Sequence, residues 1–182
     1  GFWNNLERSQ KVQTRLKQLQ NKLHRYHKLM STWEDLTTLC EMGQEAEDAE
    51  ILEELKTEYT ALETSIEEIR MTTLLSGEYD ANNVILQLHS GAGGTEAQDW
   101  CQMLYRMYTR WAERHGFTYK IMDYQEGDEA GLKSASIMIE GENAYGFLKG
   151  ENGVHRLVRV SPFDANARRQ TSFAAVSATL HR

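Results

Sequence analysis

Residues 84–100 read VILQLHSGAGGTEAQDW, and this stretch sets the architecture of the second half of the chain. Residues 84–89 predict a strand, and the glycines at 91, 93 and 94 predict a tight loop after it. A helix then runs to about His115, where Gly116 is typical of a helix end. One face of this helix carries large side chains that are expected to pack on a sheet, namely Trp100, Leu104, Met107, Tyr108 and Trp111.

The rest of this half alternates short apolar runs with polar turns, a pattern that is typical of strands. We predict a short helix at about 143–149 and further strands at 117–124, 134–139, 154–160 and 170–176. Runs of strands with one long amphipathic helix indicate an α+β fold with a mainly antiparallel sheet.

The first part of the chain predicts an α-helical hairpin of coiled-coil type. Apolar residues recur at intervals of three and four along two segments, and Gly43 is expected to separate the two helices. Residues 8–28 carry seven basic and no acidic side chains, whereas residues 41–68 carry eleven acidic ones and Lys56, which favours antiparallel pairing. The predicted seams are Val12, Leu16, Leu19, Leu23, Tyr26, Met30 and Trp33, then Leu52, Leu55, Tyr59, Leu62, Ile66 and Ile69.

A turn-rich boundary follows the second helix. Ser76 and Gly77 predict the helix end, with Gly77 in the left-handed conformation. Asp80, Asn82 and Asn83 then predict a turn. We therefore expect two domains, a helical one over residues 1–80 and an α+β one over residues 81–182, and leave open whether the second is truncated at its C-terminus.

Charge is unevenly distributed along the chain. Residues 1–83 hold sixteen acidic and nine basic side chains, which accounts for the net charge of −7, whereas residues 84–182 hold eleven of each. Residues 152–182 carry five arginines against one acidic residue, Asp164. Because affinity for phosphates follows local positive charge, this segment is a candidate contact for nucleic acid.

Two composition features bear on location. No apolar run approaches the roughly 20 residues that span a bilayer, and the start of the chain lacks a signal pattern, so no membrane partner is expected. Cys40 and Cys101 lack metal-ligand spacing, which indicates two buried thiols in the cytoplasm and no metal site.

The glycine loop at residues 91–95 has a structural and a functional interpretation. Strand, glycine loop and helix suggest a dinucleotide-binding turn, but the position of the third glycine is Glu96, whose carboxylate would oppose a pyrophosphate. Thr95 and Gln98 predict a capping box, which is the structural interpretation. A glycine tip with an acceptor at Glu96 also suits the edge of a base such as uridine.

A second unusual segment lies at residues 153–173. It begins GVHRLVRVSPFD, which contains the only proline of the chain, and ends RRQTSF. Pro162 restricts Ser161 to extended conformations. A fixed hydroxyl beside an aromatic ring and arginines suits single-stranded nucleic acid, although the spacing alone also fits an ordinary hairpin loop.

Three motifs together resemble the class I peptide chain release factors of bacteria. They are SGAGGTEAQDW at residues 90–100, YGFL leading to GVHR within residues 145–156, and Ser-Pro-Phe at residues 161–163. The resemblance covers the whole chain and is strongest from about Val84 to Phe173. It implies translation termination through recognition of UAA and UGA in the A site of cytoplasmic ribosomes, with messenger and ribosomal RNA as partners. It also implies contact of the helical domain with the GTPase release factor 3.

The resemblance assigns roles to individual residues. Gly93 and Glu96 at the helix tip would recognise the first base, U. Ser161 would face the second base, where a hydroxyl that both donates and accepts fits A or G. The remaining roles fall on the loop and the strand after it: Pro162 and Phe163 would shape the pocket, Thr171 would contact the third base, and phosphates would be met by Arg156, Arg159, Arg168 and Arg169.

The chain departs from the family at two places. Gln170 stands where the best-known members have histidine, so an amide replaces a stacking ring and leaves third-base recognition open. The family releases peptide through a Gly-Gly-Gln motif on a downstream domain, but the only Gly-Gly pair here, Gly93 and Gly94, precedes Thr95.

We therefore expect no catalytic residue and no cofactor, and a chain that decodes without releasing peptide, either as a fragment or as a truncated relative. Two other hypotheses remain open at this point. One is an RNA-binding protein that has lost termination, and the other is an enzyme that binds a nucleotide on the glycine loop.

Overall fold

A computed structural model describes residues 6–46 and 49–181. The chain divides into two compact units, Gly1–Leu74 and Leu75–Arg182. The first unit contains helices α1 (Leu6–Ala46) and α2 (Ala49–Leu74). The second contains helices α3 (Gly94–Arg114) and α4 (Ala144–Leu148), a 3-10 turn at Lys149–Glu151, and strands β1 (Asn83–Ser90), β2 (Thr118–Glu126), β3 (Leu132–Glu140), β4 (Gly153–Val160) and β5 (Arg169–His181). None of the helices in the described part of the chain is long and apolar enough to cross a membrane.

The five strands form one antiparallel sheet in the order β2-β3-β1-β5-β4, which confirms the predicted α+β fold. Strand β5 is longer than predicted because it pairs with two neighbours at once. It pairs with β1 from Ser90↔Ala174 to Asn83↔His181, and with β4 from Val160↔Arg169 to Gly153↔Val176. This shared strand brings the end of β4 next to the start of α3.

Helix α3 covers one face of the sheet, and the core lies between them. Alternate residues of β1, namely Val84, Leu86 and Leu88, are fully buried, as is Cys101 of α3. Burying one such apolar side chain stabilises the fold by roughly 1.5–3 kcal/mol. Of the predicted helix face, Leu104 and Tyr108 are buried and Trp100 and Trp111 pack at the margin, but the placement of Met107 in the core is wrong, since its side chain is 49% exposed.

Helices α1 and α2 pack antiparallel, but not through the predicted seam of α1 and only through part of that of α2, since Leu52, Tyr59 and Ile66 are about half exposed. Leu36 of α1 and Leu62 of α2 are buried, and Leu29 lies across from Leu62. The predicted α1 seam is exposed at every position, from 38% at Met30 to 57% at Tyr26. Periodicity therefore identified an apolar stripe on α1 correctly, but the prediction that this stripe packs on α2 is wrong, because α1 turns a different face towards α2.

Of the three glycines predicted to end helices, Gly116 does so after α3, whereas Gly43 and Gly77 do not. Helix α1 continues through Gly43 to Ala46, and a Cβ at Gly43 would lie 3.0 Å from Cγ2 of Ile51, so this glycine permits close approach of α2. Gly77 follows the end of α2 but is not left-handed. Its N–H donates to Oδ2 of Asp80 at 2.9 Å instead.

Asp80 is buried and connects three segments of the second unit. Besides Gly77, it accepts a 2.6 Å hydrogen bond on Oδ1 from Nζ of Lys149, and its carbonyl accepts the N–H of Gly146 at 3.1 Å. The bonds from Lys149 and Gly77 hold the pKa of Asp80 below its ordinary value, even though burial acts to raise it. The turn that precedes β1 is thereby fixed to α4.

Candidate nucleic-acid interface

The loop between β1 and α3 depends on glycine at three positions. The N–H of Gly91 donates to the carbonyl of Phe173 at 2.8 Å, and a Cβ at Gly91 would lie 2.7 Å from that oxygen. Gly93 has a φ of 134° and Gly94 a φ of 57°, which L side chains rarely adopt. These glycines let the backbone turn sharply from the end of the central strand β1 into the helix.

The predicted capping box at the start of α3 is wrong. The helix begins at Gly94 with Gly93 as its N-cap, and no side chain of the described residues caps it. Thr95 Oγ1 donates instead to Oε2 of Glu129 at 3.1 Å. Because the helix starts before Thr95, the threonine lies inside the first turn and its hydroxyl points to another loop.

Glu96 is the centre of the polar contacts at this helix tip. It is 8% exposed, and Ser161 Oγ donates to its Oε2 at 2.6 Å while Nε of Arg159 donates to its Oε1 at 2.7 Å. Burial acts to raise the pKa of Glu96, but the hydrogen bonds from Ser161 and Arg159 and the charge of Arg159 outweigh it and lower the pKa. The carboxylate therefore stays ionised at neutral pH.

Arg159 bridges two carboxylates of α3. Its second contact, through Nη2, is to Oδ2 of Asp99, which sequence analysis did not select. Asp99 lies three residues after Glu96 and so on the same helix face, which is the signal that could have identified it. Arg159 was predicted to contact RNA phosphate, but in this structure its guanidinium joins strand β4 to the start of α3.

The loop after β4 is closed at its base and presents Ser161 inward. The N–H of Ser161 donates to the carbonyl of Arg168 at 3.2 Å. Ser161 is only 6% exposed, whereas Phe163 is 50% exposed and Pro162 is also exposed. The Ser161 hydroxyl donates to Glu96 and accepts the N–H of Phe163 at 3.1 Å, so two groups of the protein already engage it.

Asp164 organises the same loop and was missed as a site residue. Its Oδ1 accepts the N–H of Asn166 at 2.9 Å, and its Oδ2 accepts Nε of Arg168 at 2.8 Å and Nε2 of Gln170 at 3.3 Å. The bond from Asn166, followed by that from Arg168, lowers the pKa of Asp164. The carboxylate to N–H bond two residues on is an Asx turn, for which aspartate is a recognised sequence signal.

Contacts behind the site hold α3 against β4. Trp100 Nε1 donates to the carbonyl of His155 at 3.0 Å, and the buried hydroxyl of Tyr108 donates to Oε2 of Glu151 at 2.7 Å. These bonds link one face of α3 to β4 itself and to the 3-10 turn before it. Movement of the helix tip relative to the Ser161 loop is thereby restricted.

The start of α3 and the loop after β4 border an open cavity of about 400 Å³. Six of the seven residues predicted to recognise a codon line it; the seventh, Pro162, does not. Arg168 also lines the cavity, whereas Arg156 and Arg169 are exposed outside it and the fifth arginine of the segment, Arg182, lies outside the described residues. The full lining is Gly93, Thr95, Glu96, Ser161, Phe163, Asp164, Ala165, Arg168, Gln170 and Thr171.

Comparison with known proteins identifies the family. The family model described as the PCRF domain matches residues 1–176, and the chain belongs to this family of peptide chain release factors. It is 53% identical over 175 residues to peptide chain release factor 2 of Nitratiruptor sp. and 51% identical over 176 residues to that of Wolinella succinogenes. These alignments cover 96% and 97% of this chain and 48% of each relative.

A solved structure agrees with these relatives. Release factor 2 of Thermus thermophilus matches with a TM-score of 0.62 and 45% identity, over 98% of this chain and 50% of that chain. The resemblance inferred from the motifs is therefore confirmed, and the chain spans about half the length of the relatives it matches.

Proposed function

We propose that this chain recognises the stop codons UAA and UGA in the A site of the cytoplasmic ribosome. The observation that supports this most directly is that Gly93, Glu96, Ser161, Gln170 and Thr171 line the same cavity. These residues come from the N-cap and first turn of α3, the loop after β4, and β5, and a shared cavity is what a common ligand requires.

At the first base, the recognition element is the start of α3, which no side chain in the described part of the chain caps. The backbone N–H groups of the first helical turn point outward and carry partial positive charge, so they suit the carbonyl oxygens of uracil. The glycines at 93 and 94 present no side chain between these amides and the cavity.

At the second base, Ser161 retains one acceptor position. A hydroxyl has one donor and two lone pairs, and within the described residues Ser161 uses the donor for Glu96 and one lone pair for Phe163. The remaining lone pair accepts from the amino group at position 6 of adenine, whereas guanine carries the acceptor O6 at that position and is met by the same hydroxyl as a donor. A hydroxyl that exchanges its donation to Glu96 for donation to O6 accounts for acceptance of both purines, and the network around Glu96 keeps this hydroxyl at the cavity.

The other roles follow from position and charge. Arg168 at the cavity, with Arg156 and Arg169 on the exposed strand surface, supplies phosphate contacts that do not distinguish bases. The helical unit faces the ribosome and release factor 3. Peptide release requires a Gly-Gly-Gln motif that is not present in these 182 residues, so the chain decodes without hydrolysing peptidyl-tRNA.

Competition on programmed ribosomes tests this function. The chain is expected to inhibit peptide release by a full-length factor on UGA-programmed ribosomes, and to release no peptide alone. Thr171→Val should weaken inhibition about tenfold through the loss of one hydrogen bond. Thr179→Val, the same change eight residues further along β5, is the matched control and should inhibit like the unmodified chain. Absence of inhibition at saturating chain, or equal effects of the two variants, would contradict the proposal.

A further inference from the structure

The amide of Gln170 has a fixed orientation at the cavity. Gln170 lies at the start of β5, next to Thr171, and its side chain is partly buried. Its Nε2 donates to Oδ2 of Asp164 at 3.3 Å. Asp164 is itself held by Asn166 and Arg168, so the carboxylate that Gln170 meets does not move freely.

The chemistry of a carboxylate sets which end of the amide faces it. An ionised carboxylate only accepts hydrogen bonds, and the lowered pKa of Asp164 keeps it ionised at neutral pH. The reversed amide would place Oε1 against the carboxylate, acceptor against acceptor. Gln170 Oε1 therefore points away from Asp164, and among the described residues no donor is bonded to it.

We infer that Gln170 selects adenine over guanine at the third codon position, and that Asp164 sets this preference by holding the amide. The Oε1 acceptor pairs with the amino group at position 6 of adenine and opposes the O6 acceptor of guanine. Thr171 alone does not make this distinction, because a hydroxyl adjusts to a donor or an acceptor. The inference rests on the proposed function and adds to it the chemical basis for separating UGA from the sense codon UGG.

Inhibition on ribosomes programmed with UGA and with UGG tests the inference. The unmodified chain is expected to inhibit at a concentration about tenfold lower on UGA than on UGG, since one hydrogen bond is exchanged for an acceptor clash. Gln170→Met, which keeps the length of the side chain but removes the amide, should bring the ratio of the two inhibition constants close to one. Gln87→Met, the same change on β1 and outside the cavity, should leave the ratio unchanged.

A second variant tests the role of Asp164. Asp164→Asn offers a donor to Gln170, so the amide is free to reverse, and the UGA to UGG ratio should fall by about the same factor as in Gln170→Met. A purely structural role of Asp164 would weaken inhibition on both codons equally and leave the ratio intact. That result, or an unchanged ratio in Gln170→Met, would overturn the inference. Failure of the unmodified chain to inhibit on UGA would instead refute the proposed function.

Discussion

Replacing Arg159 by methionine tests how the helix tip is held to the Ser161 loop. The substitution keeps an apolar stem of similar length and removes the guanidinium that bridges Glu96 and Asp99. Both carboxylates would lose their cation while Glu96 remains buried beside Ser161. The prediction is a loss of stability confined to the second unit.

The expected size of this loss follows from the exposure of the three side chains. Breaking a fully buried ion pair costs about 3–5 kcal/mol, whereas exposed pairs contribute about 0–1 kcal/mol. The side chains of Glu96, Asp99 and Arg159 are 10%, 24% and 25% exposed, so this bridge of three charged groups is mostly but not fully buried. We expect Arg159→Met to lower the free energy of unfolding by about 2–3 kcal/mol.

Urea unfolding followed by tryptophan fluorescence measures this change. Replacing Trp3 and Trp33 by phenylalanine leaves Trp100 and Trp111 of α3 to report on the second unit. Arg156→Met is the matched control, because Arg156 lies on the same strand with its side chain exposed, and it should change stability by less than about 0.5 kcal/mol. Equal stabilities of the Arg159→Met and Arg156→Met variants would refute the assigned role of the bridge.

The pH dependence gives an independent check on the same bridge. Since the pKa of Glu96 is lowered in the folded protein, its stabilising contribution is present above its ordinary pKa of 4.5 and is lost as the pH falls through the folded value. In Arg159→Met one cause of the lowering is absent. The variant should therefore lose less stability than the unmodified chain between pH 5 and pH 3, and an unaltered slope would contradict this account.

Three further predictions concern the second unit. Asp80→Asn should lower the melting temperature at pH 7, and because the pKa of Asp80 is lowered, the difference from the unmodified chain should shrink as the pH falls below about 3.8. Gly131→Ala should lower the free energy of unfolding by several kcal/mol, since φ is +75° and a Cβ would overlap the backbone of α3. Gly150→Ala is the control and should be nearly neutral, because a Cβ there meets nothing within 4 Å. Similar midpoints of urea unfolding for the two variants would be inconsistent with these contacts. Burial raises the pKa of Cys101 to about 11, so a thiol reagent at pH 8 should leave it unmodified until urea unfolds the domain, as mass spectrometry of the labelled peptides would reveal.

Much of the second unit was predictable because its signals are local. A short apolar run such as residues 84–89, followed by glycines, predicts a strand without knowledge of its neighbours, and Gly116 ends a helix through its own φ of +71°. Family motifs then pointed to Glu96, Ser161 and Thr171 as members of one site. Their placement around one cavity agrees with that expectation, and their roles in decoding remain predictions.

The contacts that organise the site could not be predicted from the sequence. Arg159 looked like a phosphate ligand, and only the pairing of β4 with β5 brings it to Asp99 and Glu96, some 60 positions earlier. The α1 stripe from Val12 to Trp33 was read as a hairpin seam, yet the exposed side chains show that another face meets α2. Sequence periodicity determines which residues share a face of a helix or strand. The partner of that face is decided by how whole elements pack, because a carboxylate or an apolar surface can contact any complementary group that the fold places close to it.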